Sequence, residues 1–366
     1  MKKTIYSLLV LTMFSSSVFS QRTIVVKNNL AFDRKEELVE VKLPSAMTQS
    51  FILKNNEGIE IPYQKVGKSI LFQSSVNANS SSIYWIVNGK PSSFAPKTSA
   101  RFVPERKDDM SWENDIAAYR MYGPALAKEN PSNGIDMWVK RTSEVFMDKM
   151  YYDELQNKKS YHIDRGQGMD CYKVGHTLGA GGIAPYVSDS LYVGNQFSSY
   201  KIIEVGPLRS SFQLTYDSVK VGNKFYKQEI TITVNAGSIF NKAEVKFIGP
   251  SNKIELATGI FLHDGKGNLK LNATNGTIAY AEDAVSEFKL PSGRNYVGVF
   301  VPVQTNKAIR KGVHGLLTTN YTIGNKFTYY FGGGWNKWKF PTDDDWFKAI
   351  NQGSESIKHP LLVKFK

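Results

Sequence analysis

A mainly β protein, folded as a large sandwich with few short helices, is the class this sequence predicts. Three observations predict it. Short runs rich in Val, Ile, Thr, Phe and Tyr recur along most of the chain, separated by Gly, Asn and Pro turns at even spacing. Helical spacing of apolar residues is confined to two stretches, Gly134–Leu155 and Asp343–Gln352. The third is a glycine-rich stretch, 161–185, with two His, two Asp, two Tyr, an Arg and six Gly in twenty-five residues. Its glycines permit positive φ and weaken regular elements, so it is read as a loop laid over a rigid scaffold and carrying the active site.

In chain order, Lys2 and Lys3 precede an apolar run from Ile5 to Phe14 and small residues ending at Ser20. This is the pattern of a secretory signal peptide over residues 1–20, which predicts a secreted or periplasmic protein. That run is too short to span a bilayer as a permanent helix, and no other stretch approaches the length required. Residues 21–96 read as an N-terminal β-module with strands at Thr23–Lys27, Glu37–Val41, Ser50–Lys54, Ile61–Lys65, Ser69–Gln73 and Ser82–Val87. A Pro-Ser-Ser-Phe-Ala-Pro hinge then leads into the main sandwich, 97–366. Its long strands are Ser199–Val205, Ser210–Tyr216, Lys224–Val234, Lys242–Phe247, Ile254–Phe261, Gly276–Ala281, Tyr296–Val301, His314–Thr319 and Thr328–Phe331, with Leu361–Phe365 closing the chain. Val221-Gly222-Asn223-Lys224 reads as a hairpin turn between two of them.

The formal charge is +13, or about +11 once Lys2 and Lys3 leave with the leader. Such a balance favours acidic partners. Lysines scattered without a stripe or helix-turn-helix pattern, in an exported chain, argue against nucleic acid and for an anionic oligosaccharide. Cys171 is the only cysteine, so no internal disulfide forms; without a thiolate signature around it, a small buried residue is its expected role. Nothing in the sequence specifies an oligomeric state.

The blocks Pro104-Glu105-Arg106-Lys107-Asp108-Asp109, Trp112-Glu113-Asn114-Asp115, Tyr122-Gly123-Pro124, Gly134-Ile135-Asp136, Tyr161-His162, Gly166 to Gly175 and Gly332-Gly333-Gly334-Trp335 resemble, in this order, the secreted family catalogued as domain of unknown function 4861. Glu204-Val205-Gly206-Pro207-Leu208-Arg209 and the long strands after it are similar to the β-supersandwich of galactose-mutarotase-like proteins and polysaccharide lyases. The resemblance implies a galactose-mutarotase-like β-supersandwich and a carbohydrate-active protein of polysaccharide-degrading bacteria. It further implies a dehydratase or β-eliminating lyase acting on unsaturated uronic-acid-containing oligosaccharides from a polymer such as ulvan or pectin.

Such chemistry needs a base for the proton α to the carboxylate, donors for the enolate-like charge, and an acid for the departing oxygen. His162 and Tyr172 are the expected base and acid. Arg106 and Arg120 are the expected carboxylate clamp, with Lys140 as an alternative, although each arginine can instead pair with Glu105, Asp109, Glu113 or Asp115. Trp112, Glu113, Asp164, Asp170, His176, His263 and Trp335 complete the predicted substrate-binding set, with Trp335 and Trp338 offering indole faces to sugar rings. Glu113 with Asp170 would serve a glycoside hydrolase instead, and a mutarotase or a non-catalytic carbohydrate-binding protein uses the same scaffold. Asp164, Asp170, His162 and His176 match neither a zinc signature nor an EF-hand loop, so no metal and no cofactor are expected.

Overall fold

The structure, a computed structural model, describes residues 22–45, 47, 50–129, 134–286 and 288–366. The signal peptide predicted over residues 1–20 lies outside the described residues.

One face of the sandwich is an eight-stranded antiparallel sheet. Its spatial order is Ser199–Val205, Arg209–Val221, Lys224–Asn235, Phe240–Ile248, Phe327–Trp335, Pro291–Phe300, Thr277–Val285 and Asn268–Asn272. Buried and half-buried residues alternate along Lys224–Asn235, as expected of a strand with one face on the core. The predicted hairpin is present, with Val221 opposite Lys224 and Gly222 at φ +61°.

Two five-stranded sheets cover this face. One runs Gly168–Asp170, Asp136–Lys140, Ala117–Met121, Asp109–Glu113 and Ser99–Val103; the other runs Ser190–Leu191, Ala180–Val187, Lys253–Phe261, His314–Thr322 and Lys307–Lys311. A parallel bridge from Ile135 to Gly179 joins them. Trp112, Tyr119, Phe212 and Phe331 meet at the centre of the core, with Trp112 stacked on Tyr119 at 5.6 Å and tilted on Phe212 at 5.0 Å.

The first of these sheets positions the site. Its three central strands are buried at every residue. The period-2 pleat sends Met110, Trp112, Tyr119, Met137 and Val139 into the main core. The opposite face carries Asp109, Arg120, Asp136, Trp138 and Lys140, roofed by the helix Met147–Asn157 and its apolar residues Met147, Met150 and Tyr151.

Two sequence readings are corrected here. Gly134–Leu155 was expected to be one helix, but its first half is the strand Asp136–Lys140 and only Met147–Asn157 is helical. Asp-Met-Trp-Val-Lys is buried on both faces, and cross-strand pairing of Asp136 with Arg120 decides for the sheet. The expected loop 161–185 becomes a strand from Ala180. Its glycines serve close packing: a Cβ on Gly181 would stand 2.3 Å from Cβ of Phe331.

The N-terminal module has its own small core around Ile24, Val26, Phe51, Leu53, Ile70 and Phe72. Its strands match the predicted ones within a few residues at each end. The chain's last strand, Leu362–Phe365, pairs with Thr23–Lys27, so the two ends of the chain share one sheet. The preceding helix, Asp343–Lys358, is capped by a reciprocal Thr342–Asp345 box and buries Trp346, Phe347 and Ile350 against the eight-stranded sheet.

The Gly332-Gly333-Gly334 run is a packing device. A Cβ on Gly332 would lie 1.9 Å from the Ile239 carbonyl oxygen, and one on Gly333 would lie 2.0 Å from Sδ of Met137 on the facing sheet. Because the obstacle at Gly332 is backbone, Gly332→Ala is expected to destabilise the fold by roughly 1–3 kcal/mol or more in denaturant titration. An unchanged midpoint would show that the strands separate freely there.

Candidate active site

At the heart of the roofed sheet sits Arg120, almost fully buried. Its guanidinium lies 2.6 Å from Asp136 Oδ2, 2.8 Å from Asp170 Oδ2 and 3.6 Å from Asp109 Oδ2. Tyr122, Trp138 and Tyr161 offer their rings to the same cation at 4.9, 5.0 and 5.5 Å. Burial alone would pull Arg120 down, but Asp136 and the groups around it hold it well above its ordinary value.

The three carboxyls face Arg120 and, further out, Arg106; His162 Nδ1 lies 3.7 Å from Asp170 Oδ2, and Asp136 Oδ2 accepts from Trp138 Nε1 at 3.2 Å and from the Tyr122 hydroxyl at 3.4 Å. Burial pushes Asp109 up to about 6 against the pull of both arginines. Burial, reinforced by Asp136, pushes Asp170 well above the carboxylate range, with Arg120 opposing. The Gly123 amide also draws Asp109 down. The cluster therefore sets three carboxyls around one guanidinium.

Above the cluster, the segment from Tyr161 to Gly175 forms one wall of a cleft of about 380 Å3, lined among others by Arg106, Tyr122, Tyr161, His162, Tyr172 and Lys173. Asp164 shapes the segment, accepting from the Gly166 and Gly168 amides at 2.8 and 3.2 Å and pairing with Arg141 at 3.1 Å. His162 sits on the wall with its side chain 24% exposed and Nδ1 3.0 Å from the Asp170 carbonyl oxygen. A carbonyl only accepts, so Nδ1 carries the proton, and in the neutral ring the basic lone pair is on Nε2.

Arg106 differs from Arg120. It is half-buried, and no carboxylate is paired with it among the described residues, because Glu105 pairs with Arg101 at 2.7 Å and Asp109 faces Arg120. Its Nε donates to the Tyr161 hydroxyl at 3.1 Å.

A second cavity of about 490 Å3 adjoins the cleft and shares Cys171, Lys173 and Val285 with it. There His263 lies with Nδ1 2.6 Å from Glu282 Oε1 and Nε2 2.8 Å from the Lys173 carbonyl oxygen, its ring edge-on to Tyr172 at 4.8 Å.

Arg106, Arg120, His162, Asp170 and Tyr172 thus meet at one cleft, with His263 in the cavity next to it. The others do not join them. Trp112 and Trp335 are core residues rather than sugar platforms: Trp112 Nε1 donates to Asn241 at 3.0 Å and Trp335 Nε1 to the Ser292 carbonyl at 2.8 Å, both out of reach of a ligand. Trp338 is half-buried and donates to the Asp115 carbonyl at 3.4 Å. Glu113 is buried in an ion pair with Lys140 and accepts from the Phe146 and Met147 amides, so neither residue is available to a substrate. The carboxylate pair Glu113 and Asp170 that a hydrolase would need is therefore not formed across the cleft. Asp164 is occupied in shaping its loop, and His176 is exposed outside the cleft lining.

Tyr172 lines the cleft, yet its hydroxyl is turned to the Phe261 carbonyl at 3.4 Å, and burial with Glu282 nearby pushes it well above its ordinary value. It is a poor proton donor there. Sequence reasoning offered Asp109 as an arginine partner, which it is for Arg120, but gave no site role to Tyr161, Tyr122 or Asp136. Reading Asp-Met-Trp-Val-Lys as a strand would have placed Asp136 beside Arg120.

Among the described residues, no group of three or more His, Cys, Asp or Glu stands close enough to hold a metal ion, and no helix is long and apolar enough to cross a membrane. Fold and site together define a large antiparallel β-sandwich protein with an arginine- and histidine-lined cleft. Residues 26–363 match the family model Domain of unknown function (DUF4861), and the chain belongs to that family. It is 30% identical to Uncharacterized protein P7 of Formosa agariphila over 401 aligned positions, covering 99% of this chain and 98% of that protein. Among solved structures, a protein in the glycosyl hydrolase family 38 and an alpha-mannosidase, both from Enterococcus faecalis, align with 94% of this chain at 7% and 8% identity and TM-scores of 0.46 and 0.45. The chain spans just under half of each, 47% and 46%.

The carboxyl cluster gives a pH signature. Asp109 binds its proton more tightly folded, at about 6, than at its ordinary 3.8, so its contribution to stability is full below about pH 4 and is lost as pH rises through about 6. Between about pH 4 and 7 the wild type is expected to lose roughly 2–3 kcal/mol from this group, and Asp109→Asn much less. Denaturant titrations at several pH values measure both slopes; equal slopes would remove Asp109 from the balance.

Proposed function

We propose that this protein is a secreted carbohydrate-active lyase of the carbon–oxygen type, a dehydratase or β-eliminating enzyme acting on uronic-acid-containing oligosaccharides from an anionic polysaccharide. Arg106 carries the reading: a half-buried guanidinium at a cleft, with no carboxylate paired to it among the described residues, beside a histidine of defined orientation. A guanidinium in that position suits a substrate carboxylate, which it grips through two parallel N–H groups. Neutralising the carboxylate makes the neighbouring C–H more acidic, and His162 Nε2 is the base for that proton. Lys173 adds positive potential along the same wall. The net positive charge of the chain favours delivery of an anionic oligomer.

The test is to incubate the purified protein with a panel of uronic-acid oligosaccharides and follow mass and ultraviolet absorbance. The expected result is loss of one water, or chain cleavage with a new carbon–carbon double bond, lowered about 100-fold or more in His162→Ala with the fold intact. Binding without turnover, indifferent to His162→Ala, would make this a carbohydrate-binding protein instead.

A further inference from the structure

We infer that Tyr161 is the general acid of this cleft, that it acts from the same side of the sugar as His162, and that the substrate is therefore a uronate whose C5 hydrogen and C4 oxygen lie on one ring face. The inference rests on the lyase reading above and commits it to β-elimination across C4 and C5 of a uronate unit.

Two observations carry it. Tyr161 lines the cleft, and its hydroxyl lies 3.1 Å from Arg106 Nε and 3.4 Å from Arg120 Nη1. Guanidinium groups donate and never accept, so the tyrosine oxygen is the acceptor in both contacts and its own proton is the one it can give. The phenolate left behind would keep both donated hydrogen bonds, one of them from Arg106, which no carboxylate pairs among the described residues, and neither donor needs to rearrange when the charge develops. Tyr172, with its hydroxyl on the Phe261 carbonyl, has no such setting.

The second observation is the spacing of the two rings. Tyr161 and His162 are adjacent in sequence, line the same cleft, and have ring centroids 4.6 Å apart. No sugar fits between rings that close, so any sugar meets both from one side. A base and an acid on one side remove hydrogen and oxygen from one face. Glucuronate and mannuronate present their C5 hydrogen and C4 oxygen that way. In galacturonate, iduronate and guluronate the two are on opposite faces.

The step balances as follows. His162 Nε2 takes the C5 hydrogen as a proton, and the C–H electron pair becomes the C4–C5 double bond. The bond from C4 to its oxygen breaks with both electrons on oxygen, which receives the Tyr161 proton. His162 ends protonated and Tyr161 as phenolate, and a proton passed from one to the other through solvent restores both.

The experiment compares oligosaccharides matched except for an internal glucuronate or iduronate, read by absorbance of the new double bond. A third probe is a methyl glucuronide carrying 2,4-dinitrophenol on O4, a leaving group that departs without a proton. Wild type is expected to favour glucuronate at least about 100-fold, and Tyr161→Phe, which keeps the ring against Trp138 and His162, to lose about 100- to 1,000-fold on the natural linkage. On the dinitrophenyl probe Tyr161→Phe should fall within several-fold of wild type while His162→Ala stays slow. Equal or faster elimination of iduronate would overturn the one-sided geometry. An unaffected Tyr161→Phe, or one that the dinitrophenyl probe does not rescue, would overturn the acid role. In each of these cases the lyase reading stands; wild type that eliminates none of the probes would sink both.

Discussion

One buried guanidinium holds the site together. Arg120 reaches from its own strand to Asp109 and Asp136 on the two neighbouring strands, to Asp170 on the next, and through the Tyr161 hydroxyl to the loop above. Burying such a group is expensive unless every side of it is occupied, and here carboxyls and aromatic rings occupy it. A network of this kind adds little net stability compared with apolar packing, but it admits few alternative arrangements. Its consequence reaches His162, because the residue whose side chain binds Arg120, Asp170, is also the one whose carbonyl orients the imidazole.

The same network explains why two arginines close together in one cleft have different roles. Arg120 is saturated and acts as scaffold. Arg106, with its nearby carboxylates already committed to Arg101 and Arg120, keeps charge in reserve at the cleft wall. Anion binding here follows from how the carboxylates are shared out more than from the number of cations. The sandwich beneath it serves as a rigid base, and many chemistries use such a base.

Most of the fold was legible in the sequence. The long strands, the Val221–Lys224 hairpin, the module at the N-terminus and the last helix all carry local signals of alternation, turn residues or capping. The misreadings came where non-local contacts override local pattern. Asp136–Lys140 looked helical because Trp138 and Val139 precede a true helix, and its pairing with the Arg120 strand on one side and Gly168–Asp170 on the other makes it a strand. Gly181 and Gly182 looked like loop residues because sequence does not show that Phe331 and Leu178 press against them. Trp112 and Trp335 looked like sugar platforms for the same reason: an indole in the core and one at a cleft are the same letter. Arg106 and His162 stood out because a guanidinium in a charge-dense block and an imidazole in a glycine-rich stretch are visible one residue at a time. Tyr161 did not, since its distinction lies in two arginines from distant parts of the chain.

The central claim is that this cleft breaks a carbon–oxygen bond by removing a proton from carbon. The most direct measurement is to run the reaction on a uronic-acid oligosaccharide in water enriched in oxygen-18 and examine the products by mass spectrometry. Elimination predicts a new double bond and no oxygen-18 in the newly formed end or in the released fragment. Incorporation of one labelled oxygen per bond broken, with no double bond, would mean that water attacks the bond, and the lyase account would be wrong.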